Sequence, residues 1–227
     1  MSKAPRVAGY KEISFWQEDG IGVITILSDD SGNVTPNFFE EILKAISVGI
    51  VDEKVKAIAI TGSNENFLSG MRKHEGMTIP DYLEMTSALA TFLGTMNKPL
   101  FALVNGKCSD MGVEVALLCD TILATEKVEF NISEHYLPTM GLSRTIQRFS
   151  HFRKGRPVEG MNCDVILPEE TFLDESSKYI LSHTNTYLVM MRQDKLRDFN
   201  NIINFEQKMF LTKNYSASEL HRSAVEN

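Results

Sequence analysis

The sequence has few of the features that mark secreted, metal-binding or membrane proteins. It contains three cysteines, Cys108, Cys119 and Cys163, and no CxxC pair. Three cysteines at these spacings indicate neither a disulfide framework nor a zinc site, so we expect reduced and mostly buried thiols. The sequence also lacks an apolar run of membrane-spanning length and the apolar core of a secretory signal. These absences predict a cytoplasmic protein with no metal site and no membrane partner.

Positive charge is scarce as well. Lys and Arg together number 23 against 30 Asp and Glu, which gives a formal net charge of -7. No run of basic residues suggests contact with nucleic acid or with an anionic membrane surface. The 43% of hydrophobic and 23% of charged residues are ordinary for a globular chain. We therefore expect no nucleic-acid partner, and any anionic ligand has to be held by local groups.

What is present is an alternation of strand and helix patterns. Residues 11–27 predict two strands around a turn at Glu18-Asp19-Gly20, and the pattern beyond about residue 170 is helical. Between them we predict a helix from Thr35-Pro36, a strand over 55–60, a helix from Pro80, a strand over 99–104, a helix within 107–120 and a strand over 121–125. This order predicts an α/β domain with ligand-bearing loops at the strand ends.

A carboxylate stands inside an apolar run. Glu114 lies in KCSDMGVEVALLCD, residues 107–120, with hydrophobic residues on both sides. If Ser109 or Asp110 caps a helix here, Glu114 falls in its first turns, where the helix dipole stabilises negative charge. One interpretation is a Glu114 that reaches solvent or a salt bridge. The other is a partly desolvated carboxylate whose pKa rises toward neutrality and suits proton exchange.

A second carboxylate, Glu134, follows 20 positions later in the loop 131–135. A helix, a short strand and a return loop fit that interval and can bring both carboxylates to the same end of the domain. The spacing by itself leaves a chance pair open.

Two segments around these carboxylates resemble the enoyl-CoA hydratase/isomerase, or crotonase, family. They are VKAIAITGSNENFLSGMRKHEG, residues 55–76, and KPLFALVNGKCSDMGVEVALLCDTILATEKVEFNISEHYLPTMGLSRTIQRF, residues 98–149. The resemblance implies a crotonase-like spiral of strand-strand-helix units followed by a C-terminal helical region. On that basis, residues 1–165 form the α/β core, and residues 166–227 form a helical region for assembly and pocket cover.

The resemblance also implies site residues and partners. The catalytic pair is Glu114, which activates water, and Glu134, which delivers a proton to the α-carbon of an acyl-CoA thioester. The backbone N–H groups of Met71 and Met111 form an oxyanion hole for the thioester oxygen. Coenzyme A is part of the substrate, and no other cofactor is expected. Family members assemble as trimers or paired trimers, so a homotrimer or hexamer is expected.

The sequence departs from the family pattern at both oxyanion positions. Asp110-Met111-Gly112 replaces a glycine triplet, and Asp110 either faces the oxyanion or turns outward as the helix cap. In the first loop, Ser69, Arg72 and Lys73 are candidates for binding CoA, although Arg72 and Lys73 also fit a solvated basic face.

Because both glutamates are retained, the leading hypothesis is hydration of a 2-enoyl-CoA. A double-bond isomerase, which needs only Glu134, is the near alternative. The altered glycine triplet also leaves open a crotonase-fold protein that has lost catalysis and serves in binding or assembly. The same pattern leaves open free CoA or a carrier-protein phosphopantetheine as the thioester carrier. The methionines Met190, Met191 and Met209 fit either core filling or an acyl-chain lining.

Overall fold

The computed structural model describes residues 9–63, 65–72, 74–142, 158–159, 163–195 and 199–214. The strands of the described part are β1 Ile13–Glu18, β2 Ile21–Ile26, β3 Asn33–Val34, β4 Ala57–Gly62, β5 Asn66–Leu68, β6 Gly70–Met71, β7 Leu100–Val104, β8 Lys107–Ser109, β9 Thr121–Thr125, β10 Glu129–Asn131, β11 Val158–Glu159 and β12 Val165–Leu167. Its helices are α1 Asn37–Val51, α2 Ile79–Thr95, α3 Met111–Leu118, α4 Phe172–Ser182, α5 Thr186–Lys195 and α6 Phe199–Asn214, with a short 3-10 turn at Glu169–Thr171.

The larger sheet has six strands in the order β1-β2-β4-β7-β9-β12. β1 and β2 form the predicted antiparallel hairpin, and β2, β4, β7, β9 and β12 run parallel. Asp19 and Gly20 turn this hairpin with positive φ angles of 49° and 85°, a conformation that Asp-Gly turns adopt readily. Helices α1, α2 and α3 lie between successive parallel strands from β2 to β9, so the predicted α/β class is confirmed.

A second sheet in the order β11-β10-β8-β5, together with the pair β3–β6, stands at the ends of the main strands. These elements are only two or three residues long. Such segments are too short to show a period of two, and the sequence analysis therefore missed them. β5 and β6 follow β4 along the chain, and β8 follows β7, so the second sheet carries the segments around the candidate site.

The predicted helix starts are also confirmed. α1 begins directly after Pro36, and α2 begins with a capping box in which Thr78 and Asp81 bond each other's backbone N–H groups. The predicted helix within residues 107–120 is split by the structure into the strand β8 and the short helix α3. Residues 107–109 form a strand because they pair with β5 and β10.

The described C-terminal helices pack on this core. Arg192 of α5 is buried, and its Nη1 lies 2.8 Å from the Asp120 carboxylate. Its Nη2 donates to the carbonyl groups of Met96 and Lys98 at 2.6 and 3.0 Å.

The main sheet continues to Leu167, so the boundary expected at residue 165 falls within β12. No helix in the described ranges combines the length and the hydropathy needed to cross a membrane.

Candidate active site

Glu114 lies in a helix that has no solvent face. All eight residues of α3 are buried, and Glu114 is only 1% exposed. The interpretation in which Glu114 reaches solvent is therefore wrong. Gly112, two residues before it, allows α3 to approach β5 closely, because a Cβ at this position would lie 1.9 Å from the Leu68 carbonyl oxygen. α3 is buried by this close packing, and Glu114 is buried with it.

The Glu114 carboxylate is held by the segment that follows Glu134. The Tyr136 hydroxyl donates to its Oε1 at 2.5 Å, the Thr139 N–H donates to the same oxygen at 3.2 Å, and the Met140 N–H donates to Oε2 at 2.7 Å. These hydrogen bonds favour the ionised carboxylate. Burial, reinforced by the negative charge of Glu206, outweighs them and raises the pKa of Glu114 to about 8. Glu114 can thus exchange a proton close to neutral pH.

Two tyrosines complete this polar cluster. Burial, with a further contribution from the Glu114 charge, raises the pKa of Tyr136 well above its ordinary value and that of Tyr82 to about 12. Tyr82 comes from α2, and its ring packs on Phe210 of α6 at a centroid distance of 5.7 Å. Both phenols are therefore neutral hydrogen-bond donors at physiological pH.

Glu134 is placed differently. Its side chain is exposed, in a turn that the Tyr136 N–H closes by donating to the Ser133 carbonyl at 3.0 Å. Among the residues that the structure describes, the Glu134 carboxylate makes no hydrogen bond or ion pair. The chain beside Glu134 reaches Glu114 through Tyr136, but the two catalytic candidates are not in direct contact.

Asp110 connects α3 to the turn that carries Glu134. Its backbone has φ 45° and ψ -108°, a conformation that glycine adopts more readily than aspartate. It stands at the N-cap position of α3, yet its side chain makes no capping hydrogen bond. Its carboxylate accepts instead from the N–H and the hydroxyl of Ser133, both at 2.7 Å. The expected cap is thus wrong, and Asp110 holds the residue directly before Glu134.

The two proposed oxyanion donors lie on facing segments. Met71 is half-buried in β6, which pairs with β3. The Met111 N–H begins α3 and donates to the Ser69 carbonyl at 3.1 Å. A thioester oxygen that binds Met111 therefore has to displace this carbonyl or share the N–H with it.

The candidate CoA-binding residues lie at the surface end of the same segment. The Ser69 N–H donates to the Gly32 carbonyl at 2.7 Å. Arg72 is exposed, and its Nε lies 3.5 Å from the carboxylate of Asp29. Lys73 lies outside the described residues.

The structure adds three residues that sequence reasoning missed, namely Tyr82, Tyr136 and Glu206. Glu206 is 3% exposed and follows Phe199 and Ile203 on the buried face of α6. Glu114 was found as a charge inside a continuous apolar run. The signal for Glu206 is different, namely its helical spacing from the apolar residues Phe199 and Ile203.

The comparisons agree with this architecture. Residues 17–151 match the family model described as enoyl-CoA hydratase/isomerase. The chain is 28% identical over 239 residues to a probable mitochondrial enoyl-CoA hydratase of Dictyostelium discoideum, covering 92% of this chain and 86% of the relative. It is 29% identical over 149 residues to a probable peroxisomal enoyl-CoA hydratase 1 of Arabidopsis thaliana, covering 63% of this chain and 56% of that protein.

Solved structures support the fold. An enoyl-CoA hydratase from Mycobacterium avium subsp. paratuberculosis superposes with a TM-score of 0.74 at 20% identity, covering 89% of this chain and 93% of that one. A probable enoyl-CoA hydratase from Mycobacterium thermoresistibile gives a TM-score of 0.67 at 17% identity, with coverages of 88% and 93%. These identities establish the fold alone, whereas the family model spans more than half of the chain. The chain therefore belongs to the enoyl-CoA hydratase/isomerase family of enzymes.

Proposed function

We propose that this protein hydrates a 2-enoyl-CoA thioester. The observation that carries the proposal is the buried Glu114 carboxyl, whose pKa of about 8 suits it to proton exchange near neutral pH. It stands on the helix whose N-terminus supplies one of the two candidate oxyanion donors. Family membership and the relatives that are named enoyl-CoA hydratases support the same reaction.

In the proposed reaction, ionised Glu114 takes a proton from water as the water oxygen adds to the β-carbon. The electron pair of the double bond moves toward the thioester, and the enolate oxygen is stabilised by the N–H groups of Met71 and Met111. Glu134 then delivers a proton to the α-carbon. Each oxyanion donor contributes about 3 to 4 kcal/mol of barrier reduction, provided that it is aimed at the developing charge.

Substrate binding requires two local exchanges at the first loop. The thioester oxygen has to displace the Ser69 carbonyl from the Met111 N–H or share that N–H with it. Arg72 has to exchange the Asp29 carboxylate for a CoA phosphate, and this exchange is inexpensive because an exposed ion pair contributes at most about 1 kcal/mol. We propose Ser69, Arg72 and Lys73 for CoA binding on the family resemblance, and the exposed position of Arg72 supports its part in this set. No cofactor besides the CoA of the substrate enters this scheme.

The proposal is tested with purified protein and short and medium 2-enoyl-CoAs, by following the loss of the enoyl-thioester absorbance. We expect Glu134→Gln to lower kcat at least about a hundredfold, because the variant has no proton to deliver. Glu129→Gln is the matched control, since Glu129 is an exposed glutamate on the neighbouring strand β10. Unchanged turnover in Glu134→Gln would remove the proposed proton donor.

A second candidate function is acyl-CoA binding without catalysis. The hydrogen bond from the Met111 N–H to Ser69 favours it, because it occupies one of the two groups that the chemistry needs. Calorimetric binding of a CoA ester, combined with no hydration, isomerisation, hydrolysis or decarboxylation across a substrate panel, would support this function.

A 3-enoyl-CoA in the same panel identifies an isomerase if Glu114→Gln spares its turnover and Glu134→Gln abolishes it.

Assembly and location are also proposals. We infer a homotrimer or hexamer from the family resemblance. Several large apolar side chains of α5 and α6 are exposed in the single chain, with Met190 at 65% and Phe205 at 60%, and they support a contact between copies of the chain. The cytoplasmic location stays a prediction, and the two relatives described above are named mitochondrial and peroxisomal.

A further inference from the structure

The Glu114 carboxylate is surrounded by hydrogen-bond donors of its own chain. Its Oε1 accepts from the Tyr136 hydroxyl at 2.5 Å and from the Thr139 N–H at 3.2 Å. Its Oε2 accepts from the Met140 N–H at 2.7 Å and from the same Thr139 N–H at 3.3 Å. A carboxylate offers about four acceptor sites, and these contacts use them. A water molecule that donates to Glu114 directly therefore has to displace one of these donors.

The donors differ in what they can do with a proton. Those of Thr139 and Met140 are backbone amides, which donate a hydrogen bond from nitrogen and do not accept one there. The Tyr136 hydroxyl has a proton to donate and an oxygen that also accepts, so it can give its proton to Glu114 while it takes another. Among the described donors to Glu114, Tyr136 is thus the one through which a proton can pass.

Tyr136 is also less buried than the carboxylate that it contacts. Glu114 is 1% exposed, whereas Tyr136 is half-buried and follows an exposed stretch at 133–135. The Tyr136 N–H closes the turn that carries Glu134 by donating to the Ser133 carbonyl at 3.0 Å. The same short turn therefore carries the α-carbon proton donor of the proposed reaction and the phenol that contacts Glu114.

We propose that Tyr136 is a catalytic residue that relays a proton from the attacking water to Glu114. The inference rests on the proposed function and adds a residue to it. As the water oxygen bonds to the β-carbon, one water O–H bond breaks and its proton goes to the Tyr136 oxygen. In the same step the Tyr136 hydroxyl proton moves to Oε1 of Glu114, so the phenol stays neutral and the carboxylate becomes a carboxylic acid. The electron pair of the double bond moves toward the thioester, and Glu134 delivers the proton of the α-carbon.

A concerted transfer suits the surroundings of this phenol. Burial, with a further contribution from the Glu114 charge, raises the pKa of Tyr136 well above its ordinary value, so a phenolate is unfavourable here. Tyr136 avoids that charge because it receives one proton as it loses the other. The 2.5 Å between the phenol and carboxylate oxygens is at the short end of hydrogen bonds to a charged oxygen, so the transferred proton has little distance to cover.

The first test removes one hydroxyl group. Tyr136→Phe keeps the ring and abolishes the relay, and we expect it to lower kcat for a 2-enoyl-CoA at least about a hundredfold. Tyr179→Phe is the matched control, because it removes a phenol hydroxyl from α4, outside the candidate site, and it should leave kcat unchanged. An active wild type with an equally active Tyr136→Phe overturns the relay and leaves the proposed function standing. A wild type without hydratase activity overturns the proposed function, and the relay with it.

The second test separates a relay from a residue that only positions Glu114. Single-turnover rates, which exclude product release, are measured as the deuterium fraction of the solvent is raised in steps. A relay moves two protons in one step, so the wild-type rate should fall along a curve, and this curve should straighten in Tyr136→Phe. A straight line or an absent isotope effect in the wild type overturns the relay, even if Tyr136→Phe does not fold. A curve that persists in folded Tyr136→Phe overturns it as well.

Discussion

At the scale of single residues, the central feature is a carboxylic acid in a place that disfavours its charge. Glu114 has three hydrogen-bond donors, which is enough to hold the side chain in one geometry. Burial and the charge of Glu206 nevertheless raise its pKa, so its position is precise while its proton is easily exchanged. The raised pKa of Glu114 lowers the free energy of unfolding at neutral pH, because the unfolded chain can ionise this carboxyl in water.

This loss of stability predicts an unusual effect of Glu114→Gln. The unfolded chain releases the Glu114 proton near pH 4.5, whereas the folded protein keeps it up to about pH 8. Within this window the free energy of unfolding falls as pH rises, by about 1.4 kcal/mol per pH unit. Glu114→Gln removes this contribution, so the variant should be more stable than the wild type at pH 8 and nearly equal to it near pH 4.5.

Urea unfolding at pH 5, 6.5 and 8 measures the difference between the two proteins. Glu134→Gln is the control, because Glu134 is exposed and no comparable change in pH dependence is expected. If Glu114→Gln and the wild type lose stability in parallel as pH rises, the buried carboxyl ionises at its ordinary pH in the folded protein.

At the scale of elements, one carboxylate ties the start of α3 to the turn after β10. Asp110 adopts a strained backbone conformation to do so, and its two hydrogen bonds to Ser133 compensate for that strain. Glu134 follows Ser133 in the chain, so the position of the Glu134 backbone depends on the contact between Asp110 and Ser133. Asp110, which replaces a glycine of the family pattern, therefore has a structural role: it holds the turn that carries Glu134.

We expect Asp110→Gly to lower kcat by about tenfold with little change in stability. Glycine accepts the backbone conformation, but it releases Ser133 and with it the turn that positions Glu134. Asp110→Ala loses the same contact and adds strain, so its free energy of unfolding should fall by about 1 to 2 kcal/mol. Steady-state kinetics and urea unfolding of the two variants separate these effects. A kcat of Asp110→Gly equal to that of the wild type would show that Ser133 does not position Glu134.

At the scale of the whole molecule, the C-terminal helices have two faces. The inner face carries Arg192, Phe199 and Glu206 into the core and the candidate site. The outer face exposes large apolar side chains, namely Tyr187, Met190, Met191, Phe205 and Met209. Core filling within a single chain therefore does not account for Met190, Met191 and Met209, and we propose that this outer face forms an interface between copies of the chain.

Light scattering should accordingly give a mass three or six times that of the 25.6 kDa chain. Phe205→Glu should lower this mass, because it places a charge in the apolar contact. Asn204→Glu introduces the same charge at the adjacent exposed position and should leave the assembly intact. A wild-type protein that is monomeric at micromolar concentration contradicts the inferred assembly.

The sequence by itself determined the main elements and the family. β-branched runs, the Asp-Gly turn and the helix starts at Pro36 and Pro80 are local features, and local conformational preferences decide them. The family resemblance was confirmed because it rested on long matching segments. The short strands of the second sheet were beyond prediction, since each exists only through pairing with a segment distant along the chain.

The tertiary structure decided the environment of each candidate residue. Whether Glu114 reached solvent depended on what packs around α3, and Glu206 joined it from a helix 92 positions further along the sequence. Asp110 bonded Ser133 instead of capping its own helix because the turn after β10 lies against it. Burial and nearby charge set the pKa of an acid, and both arise from contacts that no local sequence pattern encodes.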